Sequence, residues 1–108
     1  MSREALGNFE LMVVLAVLKS GDDAYGVPIA AEIEAATGRR VLLGSIYAAL
    51  ERLEAKGLVA STIGDPTPER GGRAKKYFRV TALGLREIHH AKRALTRLWR
   101  GVAAEGAV

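Results

Sequence analysis

Residues 42–59 read LLGSIYAALERLEAKGLV, and this stretch decides the fold. Ile46, Leu50 and Leu53, with Leu58 just past Gly57, recur three and four apart, so one helical face is apolar and a helix runs from about Gly44 to Lys56. Gly57 supplies the left-handed residue that stops it. Upstream, Gly38 marks another such stop, and Arg39-Arg40 with a brief extended stretch makes the link. Before Gly38, Ile29, Ala30, Ile33 and Ala36 or Thr37 keep helical spacing while Glu32 and Glu34 face outward. Pro28 has no N–H, which is harmless only among the first four helical positions, so this helix starts near Tyr25. Further back, Asn8 can cap a helix that Glu10 favours in its first turn. The run Phe9–Leu18 is apolar nearly all round until Lys19-Ser20-Gly21 ends it, so this first helix must be covered on more than one side.

Downstream, Leu58–Ile63 reads as a strand and Gly64–Gly72 as a Gly/Pro-rich loop. Lys75–Thr81 is a second strand, rich in aromatic and β-branched residues. Thr81 can cap a fourth helix reaching about Val102, along which Ile88, Ala91, Leu95, Leu98 and Val102 alternate three and four apart, as in a coiled-coil seam, with Trp99 beside it. Three helices, two of them joined by a short link, and then a β-hairpin make a mostly α fold with a small β-hairpin, the winged helix-turn-helix. Residues 1–81 form the winged-helix domain and 82–108 a dimerisation helix and tail, together one structural unit.

A chain of 108 residues, 49% apolar, can bury one core. Without cysteine it has neither disulfides nor thiolate metal sites, and no metal or cofactor is expected. The longest apolar run, Leu11–Leu18, is far short of the roughly 18 residues a membrane span needs. Arg3 is followed at once by Glu4, and Glu10 interrupts the place of an apolar signal region, so the expected location is cytoplasmic. Charge is uneven. Positions 1–65 hold six Lys and Arg against nine Asp and Glu, whereas positions 66–100 hold ten against two. Such a concentration suits a polyanionic partner, although a solvated basic surface would give the same count.

The hairpin carries much of that charge, with Arg70, Arg73, Lys75 and Lys76 within seven positions, the composition a strand-loop-strand needs to lie against phosphate. A winged helix that binds protein rather than DNA is the alternative, and it would be expected to lack a basic wing. Catalysis is disfavoured. His89 and His90 are adjacent on one helix and point apart, Ser45 has no carboxylate at a catalytic spacing, and Gly71-Gly72-Arg73 lacks the lysine pattern of a phosphate-binding loop.

Four segments, LGNFELMVVLAVL (6–18), DAYGVPIAAEI (23–33), GSIYAALERLEAKGLV (44–59) and ERGGRAKKYFRVTALG (69–84), together resemble the PadR family of winged-helix transcriptional regulators, in its short form with one carboxy-terminal helix. The resemblance implies a homodimer, acting as a repressor, that binds a pseudo-palindromic double-stranded DNA operator with its third helix in the major groove and its wing at the minor groove. It further implies fourth helices paired across the two-fold through Ile88, Ala91, Leu95, Leu98, Trp99 and Val102. Ser45 and Tyr47, the latter characteristic of the family, then fall in the first turns of the reading helix, with Arg52 and Lys56 further along and Arg39 and Arg40 ahead of it on phosphate. Some relatives take flat aromatic or hydrophobic effectors between the paired helices, on a Trp of the fourth helix. Here Trp99 falls one turn later than that residue, with Leu95 in the matching place. Two departures stand out. Leu42-Leu43 occupies the place where many members have Ser or Thr, leaving the helix cap to backbone or to Ser45, and Ala48 stands where Pro is frequent. Direct base readout is expected to be sparse, with shape readout through the wing instead.

Overall fold

The helix read from residues 42–59 is present as α3, Leu43–Ala55, in a computed structural model that describes residues 6–64 and 75–102. Ile46, Ala49, Leu50 and Leu53 form its buried face. Its end is a Schellman closure: Gly57 takes a φ of 77°, and the Leu58 N–H reaches back 2.9 Å to the Leu53 carbonyl. Its start has no side-chain cap. Leu42 holds the cap position in extended conformation, and its carbonyl accepts from the N–H groups of Ser45 at 3.0 Å and Ile46 at 3.2 Å. Between the two options left open by the sequence, the backbone makes the cap. A Ser, Thr, Asp or Asn there would add about 1 kcal/mol that this chain forgoes.

The helix α1, Asn8–Ser20, is capped by Gly7 rather than Asn8. Asn8 is already helical because the Glu10 carboxylate reaches back to accept the Gly7 N–H at 3.2 Å, which satisfies that orphan donor without an amide side chain. As expected of an all-round apolar helix, α1 touches α2, α3, α4 and β2. The helix α2, Gly26–Thr37, has Tyr25 at its cap and Pro28 at its third position, inside the turn where no N–H partner is required, and it ends on Gly38 with a φ of 74°. The Val41 N–H then bonds Glu34 Oε2 at 2.8 Å, which folds the α2–α3 link back onto α2.

Strands β1, Val59–Ile63, and β2, Lys76–Val80, pair antiparallel with Val59 opposite Val80 and Ile63 opposite Lys76. The outer edge of β2 is also used: the Phe78 N–H donates to the Ala24 carbonyl at 2.8 Å, tying the hairpin to the start of α2. Thr81 then closes the base. Its hydroxyl accepts the Gly84 N–H at 3.0 Å, capping the helix α4 (Ala82–Arg100), and donates to the Gly57 carbonyl at 2.7 Å. One core holds all of this, built on Val13, Val14, Ile29, Ile33, Leu50 and Phe78.

Only the first half of α4 belongs to that core. Gly84 and Ile88 are buried, whereas every residue from Lys92 to Arg100 is exposed. Ile88 therefore departs from its expected place in the intersubunit seam: at 7% exposure it packs within its own chain and has almost no area left for a partner. Four residues further on, Lys92 is already exposed. No helix among the described residues is long and apolar enough to cross a membrane.

Candidate nucleic-acid interface

Two flanks of α3 meet different neighbours. On one, Tyr47 lies over the start of α2, where a Cβ at Gly26 would overlap its hydroxyl and approach its Cζ to 2.6 Å. A side chain at position 26 is thereby excluded, and the ring stays partly exposed beside α3. Next to the buried Gly26, the ring of Tyr25 meets Tyr77 of β2 edge-on at 5.5 Å, and Lys75 Nζ lies 4.1 Å above the Tyr25 ring. Ring contact and cation–π attraction thus join the start of α2, over which Tyr47 of α3 lies, to the hairpin. Tyr25 and Tyr77 escaped the sequence reading, as did exposed Arg79. The period-two alternation Lys75, Tyr77, Arg79 is the signal that places all three on one face of β2.

On the other flank, Arg52 and Lys56 turn back toward α1. Arg52 Nε bonds Glu10 Oε2 at 3.0 Å and Lys56 Nζ bonds Glu10 Oε1 at 3.1 Å, making Glu10 a buried carboxylate with two cations and a backbone donor around it. Burial alone would raise its pKa. The bonds from Arg52, the Gly7 N–H and Lys56, with the charge of Lys56, outweigh that and hold it below the usual carboxylate range. Arg52 and Lys56, expected on DNA, also brace α1 against α3. Lys76 is similarly occupied, 3.9 Å from Glu54, which also accepts the Ser61 hydroxyl at 2.7 Å.

Glu10→Gln should therefore lower stability by about 1 kcal/mol near neutral pH, a figure discounted because Arg52 is more than half exposed. The sign in pH follows from the lowered pKa. The contribution is complete above the unfolded carboxylate value of roughly 4.3 and disappears as pH falls through the lower folded value. Urea midpoints of wild type and variant should therefore differ at pH 7 and converge in acid. A gap that widens on acidification would contradict this assignment.

Arg39, Arg40 and Ser45 are exposed around the start of α3, while Arg70 and Arg73 lie outside the described residues. A second feature lies apart from these groups. Between α1 and α4 runs an apolar groove of about 430 Å³, bounded by Leu11, Leu15 and Leu18 on one side and Ala91, Leu95 and Trp99 on the other. Leu98 and Val102 continue the exposed stripe along α4.

A helix pair whose second member is open to solvent, a hairpin fastened to it and a projecting fourth helix define a winged-helix protein. Residues 14–90 match the transcriptional regulator PadR-like family, and the chain belongs to that family, which comprises DNA-binding transcription regulators and not enzymes. Among solved structures, the chain is similar to a PadR family transcription regulator from Clostridium difficile (24% identity, 89% of this chain and 95% of that one, TM-score 0.70). It is also similar to a PadR-like transcriptional regulator from Bacillus cereus (21% identity, 87% and 86%, TM-score 0.70). A third similarity is to a PadR family transcriptional regulator from Eggerthella lenta (26% identity, 87% and 79%, TM-score 0.68). No curated protein matches the chain.

Proposed function

We propose that this regulator is a repressor that binds a pseudo-palindromic operator as a homodimer, α3 entering the major groove and the hairpin following the backbone at the adjacent minor groove. The observation that carries this reading is that Tyr47 of the solvent-facing α3 lies over the start of α2, where Tyr25 contacts Tyr77 and Lys75 of the hairpin, so that helix and hairpin are held side by side. The DNA-facing groups are Arg39, Arg40, Ser45 and Tyr47 around α3, and Arg70, Arg73, Lys75, Lys76 and Arg79 on the wing. Fourth helices pair through Leu95, Leu98, Trp99 and Val102, with Ala91 at the inner margin. The groove beside them, closed by the partner chain, takes a small hydrophobic or aromatic effector against Leu95 and Trp99.

Each phosphate contact releases counterions, so log affinity falls with log salt by about 0.9 per contact on duplex DNA. Arg73→Ala with Lys75→Ala removes one net contact from each wing. The double variant should bind operator and random duplex more weakly by similar factors, with a salt slope flatter by about two units for the dimer. Fluorescence anisotropy at several salt concentrations measures both quantities. A wild-type slope in the variant removes the hairpin from the interface, and no duplex binding at low salt rejects the reading as a whole.

A further inference from the structure

The side chains of the two leucines that begin α3 lie outside the core. Leu42 is 74% exposed and Leu43 is 43% exposed, and Leu42 holds the cap position with its backbone alone, its side chain supplying no cap bond. Beside them the exposed residues in the first two turns of α3 are Gly44, Ser45, Tyr47 and Ala48. A Cβ at Gly44 would meet nothing within 4 Å, so the helix start is bare enough for another molecule to come close to its backbone.

The surface around these leucines is positive. Arg39 and Arg40 precede them by two and three residues, both exposed and without a side-chain partner among the described residues, and the helix offers its positive end at the same place. An apolar protrusion within cationic surroundings suits duplex DNA, where charge is on the backbone and apolar groups are on the groove floor. It suits a second copy of this chain poorly, since two such surfaces would set four guanidinium groups against one another.

The chemistry of the helix narrows the target. Over residues 43–50 there is no Arg, Asn or Gln, so the bidentate patterns that identify guanine and adenine are absent from the first two turns. The apolar feature of the major groove is the C5-methyl group of thymine. We propose that Leu42 and Leu43 are specificity-determining residues that read thymine methyl groups in the major groove, so that each half-site is recognised by apolar contact at the amino-terminal end of α3. This rests on the DNA-binding reading above and assigns what that reading leaves open, the base chemistry selected.

The test needs no change to the fold. Duplexes selected by the wild-type protein from random-sequence DNA are resynthesised with uracil in place of thymine, one position at a time and then throughout each half-site, which deletes the methyl group and keeps the hydrogen-bonding edge. Wild type should lose about threefold to tenfold in affinity when both half-sites carry uracil at the contacted positions, with an unchanged salt slope. Leu42→Ala with Leu43→Ala should bind thymine and uracil duplexes equally, the cycle that isolates this contact from any effect of uracil on duplex shape. Equal binding of both duplexes by wild type overturns methyl readout while leaving DNA binding intact. Retained discrimination by the variant assigns it to other residues and overturns the proposal too. Failure of wild type to bind any duplex overturns the underlying reading as well. A change in oligomeric mass of the variant by light scattering assigns the leucines to a protein interface instead and also overturns the proposal.

Discussion

Leu95→Asp with Leu98→Asp is expected to leave a monomer at micromolar concentration and to weaken operator binding by about a hundredfold or more. In the single chain Leu95 is 51% exposed, Leu98 70% and Trp99 67%, and Leu15 and Leu18 of α1 add exposed apolar surface along the same groove. Burying a leucine contributes roughly 1.5–3 kcal/mol, and a two-fold interface counts each one twice, so the pair decides whether the subunits hold together. Replacing both puts four carboxylates where the apolar stripe should meet its copy. The loss at DNA follows from valency, since a dimer that engages one half-site presents its second reading head at high effective concentration, a gain of about 10²–10⁴. Light scattering gives the mass, and Trp99 emission should move to the red as its ring becomes fully hydrated. A double variant that stays dimeric would place the interface elsewhere.

The largest loss of stability is expected from Gly84→Ala, a change that adds one methyl group. A Cβ at position 84 would overlap the Leu58 carbonyl oxygen and come within 2.7 Å of Val80 Cγ1. Leu58 cannot yield, because its carbonyl accepts the Thr81 N–H at 3.0 Å while its own N–H closes α3 onto Leu53. Relief therefore requires α4 to lift from the base of the hairpin, opening the core around Ile88. A cost of about 3 kcal/mol, the upper range for overpacking, corresponds to a fall in Tm of more than about 10 °C for a domain of this size. Gly44→Ala is the matched control, since nothing lies within 4 Å of its Cβ and alanine is the better helix former. That variant should gain up to about 1 kcal/mol. Equal thermal shifts in the two variants would mean that helix propensity, not the approach to Leu58, governs position 84.

Periodicity and punctuation carried the fold because each helix here is bounded by residues whose backbone preference is local. Gly38, Gly57 and Thr81 do at the helix ends what their chemistry alone requires. Asn8 misled because a cap is a competition between neighbours: Glu10 at the third position satisfies the Gly7 N–H, and the outcome depends on where the carboxylate can also find cations 42 and 46 residues away. No local rule contains that distance. The same blindness hid the pairing of Arg52 and Lys56 with Glu10, since a cation on an amphipathic helix gives no sign that a buried acid lies beneath it. Ile88 fitted the heptad spacing as well as Leu95 does, and only burial in the folded chain separates a core position from a seam position. The Tyr25–Tyr77 pair required knowing that β2 runs beside the start of α2, which the Phe78-to-Ala24 bond establishes and the sequence does not announce.

The exposed half of α4 has a thermodynamic consequence. From Lys92 to Arg100 the helix has only its own hydrogen bonds, and a segment that short is at best marginally helical in water without a surface to lie on. Its first half supplies the nucleus, being packed and capped by Thr81, so winding can propagate outward but gains little until a partner covers the apolar stripe. In the proposed dimer, ordering of the last turns and pairing of two chains are a single coupled equilibrium. Helix content becomes a function of protein concentration, and dissociation leaves two intact reading heads that have each lost the end of a rod.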